Sequence, residues 1–226
     1  HLPTRRQRQM CIRDRLEPKK KPNFDEAVKS ALRLKDKYGD NIIGIVTEQY
    51  STRLEPYGYH GIPHWERVLV NGLMLKQMLP DHVSEDAVFL FALFHDSKRE
   101  NEGHDVLHGM RGADYFKHCY DSGFIPLHLM KTDLEPMQII SIVVRACSYH
   151  TMNLFDSDPR VAACFDADRL DLERVGIYPD IAKLNYQTAI SKALIYECSI
   201  RAREILTTPI FRKEDESEKC DFKYTG

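Results

Sequence analysis

Five stretches of this chain repeat apolar residues at the i, i+3, i+4, i+7 spacing of a single helix face, and each carries a histidine or an aspartate on that same face. His64 stands with Val68, Gly72, Leu75 and Leu79; His95 with Val88, Phe91 and Ala92; His108 with Gly112, Tyr115, Phe116 and Cys119. His150 stands with Ile139, Val143, Ala146 and Cys147, and Asp168 with Val161, Cys164, Phe165, Leu172 and Val175. Four imidazoles and one carboxylate therefore point to where a helical core has to form. Asp96 follows His95 at the end of a segment that is apolar all round. A carboxylate in an apolar stripe is costly unless it is paired or metal-bound. Arg169, next to Asp168 in sequence, lies about 100° round the helix and is a poor direct partner. Any one of these histidines, taken alone, reads equally well as an ordinary core residue. Taken together, imidazole nitrogens and carboxylate oxygens brought by five helices to one interior suit a site for Zn, Mn, Fe, Co or Ni.

The rest of the pattern is helical too, with no repeats and no alternating strands, so the expected class is an all-α bundle. Asn23-x-x-Glu26 caps a helix that runs to about Tyr38 and stops at Gly39, and residues 40–62 read as a connector. Pro63 opens a helix to about Leu79, and Ser84 caps one through Asp96. Further helices are expected over about 108–120, from Thr132-x-x-Glu135 to about His150, from Asp158-Pro159 to about Val175, and over 179–206. The 226 residues suffice for one well-buried domain with appendages. The division is a basic arm (1–22), a helix and connector (23–56), the main domain (57–206) and a charged tail (207–226).

Charge excludes some partners. Residues 1–22 carry eight Lys/Arg against two acids, a net +6, and the remainder carries −8. An acidic body argues against a nucleic-acid-binding role. Gln9 to Arg15 reads as the translation of a sequencing-library adaptor, so residues 1–15 are set aside. No apolar run approaches the ~18 residues of a membrane-spanning helix. No signal peptide is visible, the six cysteines form no C-x-x-C pair, and Cys147, Cys164 and Cys198 fall inside apolar patterns. A reducing cytoplasm and no membrane partner are the expectation.

The ordered series His64, His95-Asp96 and Asp168 resembles the HD superfamily of metal-dependent phosphohydrolases. Its setting strengthens the likeness. Phe91-Ala92-Leu93-Phe94-His95-Asp96 is similar to that superfamily's apolar helix ending in HD, and Pro63-His64-Trp65-Glu66-Arg67-Val68 to its first-histidine segment. Leu107-His108-Gly109-Met110-Arg111-Gly112-Ala113 and Tyr149-His150-Thr151 resemble a subgroup with six ligands and two metals, to which the bacterial HD-type diadenosine tetraphosphate hydrolases belong. The likeness spans about Tyr57 to Leu206.

The resemblance implies that Asp96 bridges two divalent transition metals. His64, His95 and Asp168 would hold one, and His108 and His150 the other. His104, one turn from His108, and Asp166 stand as alternative ligands. Arg99 occupies a position where the subgroup has lysine, beside Lys98. Arg99 and Arg169 are the candidates for contacting phosphate, with Asp96 completing the catalytic set. Asp171 could orient a ligand histidine, although for Asp171 and Lys98 a plain surface charge is the better expectation. Tyr57, Tyr59 and Trp65 read as packing more than as a stacking surface, and the loop 100–106, with three acids, as a solvated connection or a contact to metal or substrate with equal weight. The implied reaction is hydrolysis of a phosphate ester or anhydride of a nucleotide or other small phosphorylated molecule by metal-bound hydroxide. A mixed-valent di-iron oxygenase and a non-catalytic binding module remain the alternatives.

Overall fold

The structure, a computed structural model, describes residues 16–212. The adaptor-like residues 1–15, Cys11, Cys220 and the tail beyond 212 lie outside them. Among the described residues there are eight α-helices and no strand.

Several helix starts have a chemical reason. Asn23 takes the Glu26 N–H at 2.9 Å and opens α1 (Phe24–Tyr38). The reciprocal half of a capping box is absent, because the Asn23 N–H goes to Gln77 instead. Gly39 ends α1 with φ +80°, a conformation that favours glycine. The chain then enters a second helix, α2 (Asp40–Ser51), where the sequence suggested a connector. Ile42, Ile43, Val46, Thr47 and Tyr50 are its buried face. That face is helical in period, but β-branched residues and Gly44 mask it as a short apolar run.

Helix α3 (Ile62–Met78) has Pro63 in its first turn. Ser84 caps α4 (Glu85–Phe94) by accepting the Ala87 N–H at 3.1 Å. Helix α5 covers His108–Asp121 and α6 covers Pro136–Tyr149. Thr132 does not cap α6. Its hydroxyl donates to Leu134 O, and the helix begins at Pro136, whose fixed φ suits the first turn. Asp158 caps α7 (Pro159–Arg169) through the Arg160 N–H at 2.9 Å.

Two helices are shorter than their sequence patterns. Helix α7 ends at Arg169, and the chain tightens into a 3₁₀ turn over Leu172–Val175. Val175 is consequently exposed rather than on the Asp168 stripe. Residues 179–206 hold a 3₁₀ turn at Ile181–Lys183 and then only α8 (Lys192–Arg201). The reason is Asp166. Its buried carboxylate accepts the N–H groups of Asn185 and Tyr186 and the Asn185 side-chain amide, all at 2.8–2.9 Å, which holds this stretch out of a helix.

Helix α4 is the axis. Ala87 through Phe94 are all 0 % exposed, and α1, α3, α6 and α7 pack around it. Helix α5 closes the far side against α6. It approaches closely because Gly112 faces the carbonyls of Phe94 and His95, and Gly109 faces the carbonyl of Cys147. A Cβ at either position would collide with those oxygens. The segment 210–212 packs on the body. Glu66, fully buried on α3, accepts the backbone N–H groups of Ile210, Phe211 and Arg212 and pairs with the Arg212 guanidinium. Cys119, Cys147, Cys164 and Cys198 are buried free thiols. No helix of the described residues is long and apolar enough to cross a membrane.

Candidate metal centre

The six residues singled out by sequence meet at one place. Helix α3 brings His64 and the turn after α4 brings His95 and Asp96. The first residue of α5 is His108, the residue closing α6 is His150, and the last turn of α7 holds Asp168. They form two groups that can hold a metal ion: His64, His95 and Asp168, and Asp96, His108 and His150, with ligand atoms within 4.8 Å of one another in each. His64 and His95 are 0 % exposed, and Asp168, at 9 %, is the most exposed of the six.

Asp96 stands between the groups. Its Oδ2 lies 3.7 Å from His64 Nε2 and 3.8 Å from His95 Nε2. Its Oδ1 lies 3.0 Å from His108 Nε2 and 3.8 Å from His150 Nε2. On the other side of the first group, Asp168 Oδ1 is 3.4 Å from His64 Nε2.

The four imidazoles are oriented alike. Each donates Nδ1–H to a fixed oxygen. His64 donates to Asp171 Oδ2 at 2.7 Å, His108 to Asp105 O at 2.5 Å and His150 to Cys147 O at 2.8 Å. His95 lies 3.1 Å from both the Phe91 and the Ala92 carbonyls. This fixes the tautomer and leaves four Nε2 lone pairs converging on the centre. Two pairs face each other closely, His64 with His95 at 3.1 Å and His108 with His150 at 3.0 Å. Facing lone pairs repel unless a cation sits between them, and about 3.0–3.4 Å is the separation of two ligands bound to one cation at ~2.1 Å. Asp96 Oδ1 and Asp168 Oδ1 are buried and accept no hydrogen bond, a costly state that a cation would relieve. The donor chemistry therefore fits divalent transition metals in both groups.

Electrostatics agree. Burial pushes the His95 imidazole down to about 3, keeping it neutral. Burial alone would raise the carboxyls of Asp96 and Asp168, but their neighbours overrule it. His95, His108 and His150 hold Asp96 well below the usual carboxylate range, and His64 and Arg174 do the same for Asp168. His108 is pushed up, because Asp96 outweighs burial.

His104 is exposed and is not part of either group. Asp166 spends its carboxylate on the 185–186 loop, and burial pushes it up to about 6. Asp171 is no surface charge: it is buried, bonded to His64, and held by Arg67 through contacts of 2.7 and 3.0 Å. Lys98 reaches Gln49 and lies over the Tyr115 ring, away from the centre. Trp65 is core, donating its indole N–H to His60 O. In loop 100–106, Glu102 pairs with His60 at 2.7 Å, and Asp105 takes Arg111 with its carboxylate while its carbonyl orients His108.

Arg99 does face the centre, with Nη1 3.6 Å from Asp96 Oδ1 and 3.2 Å from His108 Nδ1. Arg169 does not fit the phosphate role. Its terminal nitrogens donate to the carbonyls of His150, Asn153 and Leu154 and so clamp the turn after α6. Sequence reasoning missed Arg174, which approaches Asp168 Oδ1 at 3.8 Å. Its placement depends on the 3₁₀ turn, which the helical period hides.

No family model matches the chain, and neither does any curated protein or solved structure.

Proposed function

We propose that this chain is a metal-dependent phosphohydrolase of the HD type, with two divalent cations in its core, acting on a phosphate ester or anhydride of a nucleotide or other small phosphorylated molecule. The observation that carries the reading is Asp96, a buried carboxylate with one oxygen toward His64 and His95 and the other toward His108 and His150. Divalent cations bound at such a centre supply Lewis acidity to phosphoryl oxygens and make water a nucleophile at neutral pH.

The protein's own contribution is position. Asp171 and four backbone carbonyls hold the imidazoles in one tautomer. Phe91 of α4, 0 % exposed, packs its apolar ring against His95 and His150. Arg99 offers Nη1 to an anion next to Asp96, a fixed charge where negative charge grows on phosphoryl oxygens. The overall acidity of the body does not oppose an anionic substrate, since bound cations dominate the local field.

The test is a screen of the full chain, purified without chelator and supplied with Mn, Fe, Co, Ni or Zn, against phosphate monoesters, nucleotides and dinucleoside polyphosphates. The expected result is cation-dependent release of phosphate or nucleotide, abolished by chelator and lowered more than ~10²-fold in Asp96→Ala. Oxygen uptake by the iron-loaded protein with no phosphate release from any compound would overturn the reading in favour of an oxygenase.

A further inference from the structure

Four arginines other than the Arg212 clamp are buried in or around this core, and they are used in different ways. Arg67 is taken up by Asp171 and the Glu204 carbonyl. Arg169 is taken up by the 150–154 turn. Arg99 and Arg174 share a third arrangement. In Arg99, Nε and Nη2 donate to the carbonyls of Asn101 and Gly103, and Nη1 is left toward Asp96 Oδ1 at 3.6 Å. In Arg174, Nε and Nη1 donate to the carbonyls of Tyr59 and Asp171 at 3.0 and 3.1 Å, and Nη2 is left toward Asp168 Oδ1 at 3.8 Å. Two carbonyl bonds fix the plane of each guanidinium, and the remaining nitrogen points into the centre.

The carboxylate oxygens they face are the same two that are buried and accept no hydrogen bond. Both approaches are too long to be hydrogen bonds. Each arginine is therefore held just short of a carboxylate that the cation groups claim. Asp168, beside Arg174, is also the most exposed of the six residues, at 9 %.

We propose that Arg174 is an anion-binding residue of this centre, that its Nη2 contacts a phosphoryl oxygen of a bound substrate, and that it works with Arg99 from the opposite end of the six-ligand cluster. The assignment rests on the phosphohydrolase reading for its substrate class, but the anion site itself is testable without turnover. A fixed guanidinium recognises phosphate by geometry as well as charge, so lysine is not an equivalent replacement.

The experiment measures binding of inorganic phosphate to the manganese-loaded full chain by titration calorimetry, with bound metal measured on the same samples. Arg174→Lys is expected to weaken phosphate binding about tenfold, and Arg174→Gln further, with metal content equal to wild type. Arg145→Lys, at an arginine that pairs with Asp156 and takes no part in the centre, is expected to leave phosphate affinity within about twofold. Unchanged phosphate affinity in Arg174→Lys overturns the proposal, as does failure of the wild type to bind phosphate. Loss of metal in both Arg174 variants also overturns it, because the residue would then serve Asp168 rather than an anion. If phosphate binds through Arg174 but no phosphorylated compound is cleaved, the anion site stands and the hydrolase reading falls.

Discussion

The two halves of the centre reach the same geometry by different means. His64, His95 and Asp168 come from α3, α4 and α7, the innermost helices, and the two histidines are fully buried. His64 is oriented by a carboxylate, Asp171, which Arg67 holds in turn. His108 and His150, also buried, come from the ends of α5 and α6, and both are oriented by backbone carbonyls of their own neighbourhood. With Asp96 counted on both sides, the first half has four donors and the second has three. The contrast teaches that one half is a property of the core, whereas the other depends on two glycines that bring α5 against carbonyl oxygens. Cation affinity should therefore differ between the halves.

The largest effect expected from that difference is a stepwise loss of metal. A chelator should strip the wild type in two phases, and His150→Ala should lack the fast phase while keeping one cation per chain. Single-phase loss from the wild type would break the comparison.

Asp166 and Asp168 give a second contrast, two buried carboxylates two residues apart with opposite employment. Asp166→Ala removes the acceptor of three buried N–H donors and should cost about 3 kcal/mol, seen as a lowered midpoint in urea unfolding, while metal content stays at the wild-type level. Loss of a cation in that variant would assign Asp166 to the centre after all.

The half built on His95 should also carry a pH signature in metal-free protein. The folded-state value for His95 is about 3, against an ordinary value of 6.5. The unfolded chain therefore binds the proton first as pH falls. The stabilising contribution is full above 6.5 and is lost on descending toward 3. It amounts to about 2 kcal/mol already lost at pH 5. Urea midpoints between pH 7 and 5 should fall in wild type and flatten in His95→Gln.

The smallest effect concerns orientation alone. Asp171→Asn keeps the shape but weakens the grip on the His64 tautomer, and should reduce cation affinity of the first half about tenfold. Competition with a chelating dye reads this directly, and the fast phase belonging to the other half should not move.

Much of this centre was legible because a helix repeats its face every 3.6 residues, so the sequence alone places four histidines and Asp168 on inward stripes, with Asp96 next to one of them. What the period could not show were the breaks. Helix α2 hid behind β-branched residues and a glycine. The run from 179 to 206 looks continuous in composition, yet Asp166 captures Asn185 and Tyr186 and prevents it. Six residues of continuous helix would carry Arg174 about 120° away from the face of Asp168, whereas the 3₁₀ turn at Leu172–Val175 brings it back. Arg169 carried the right charge at the right sequence position, but only tertiary contacts reveal that three carbonyls occupy it.

The most direct test of the central claim is bound metal per chain in the wild type and in Asp96→Ala, by elemental analysis of protein purified without chelator. A shared carboxylate predicts about two transition-metal ions in the wild type and loss of both from the variant. One ion in the wild type, or two retained by Asp96→Ala, would contradict it.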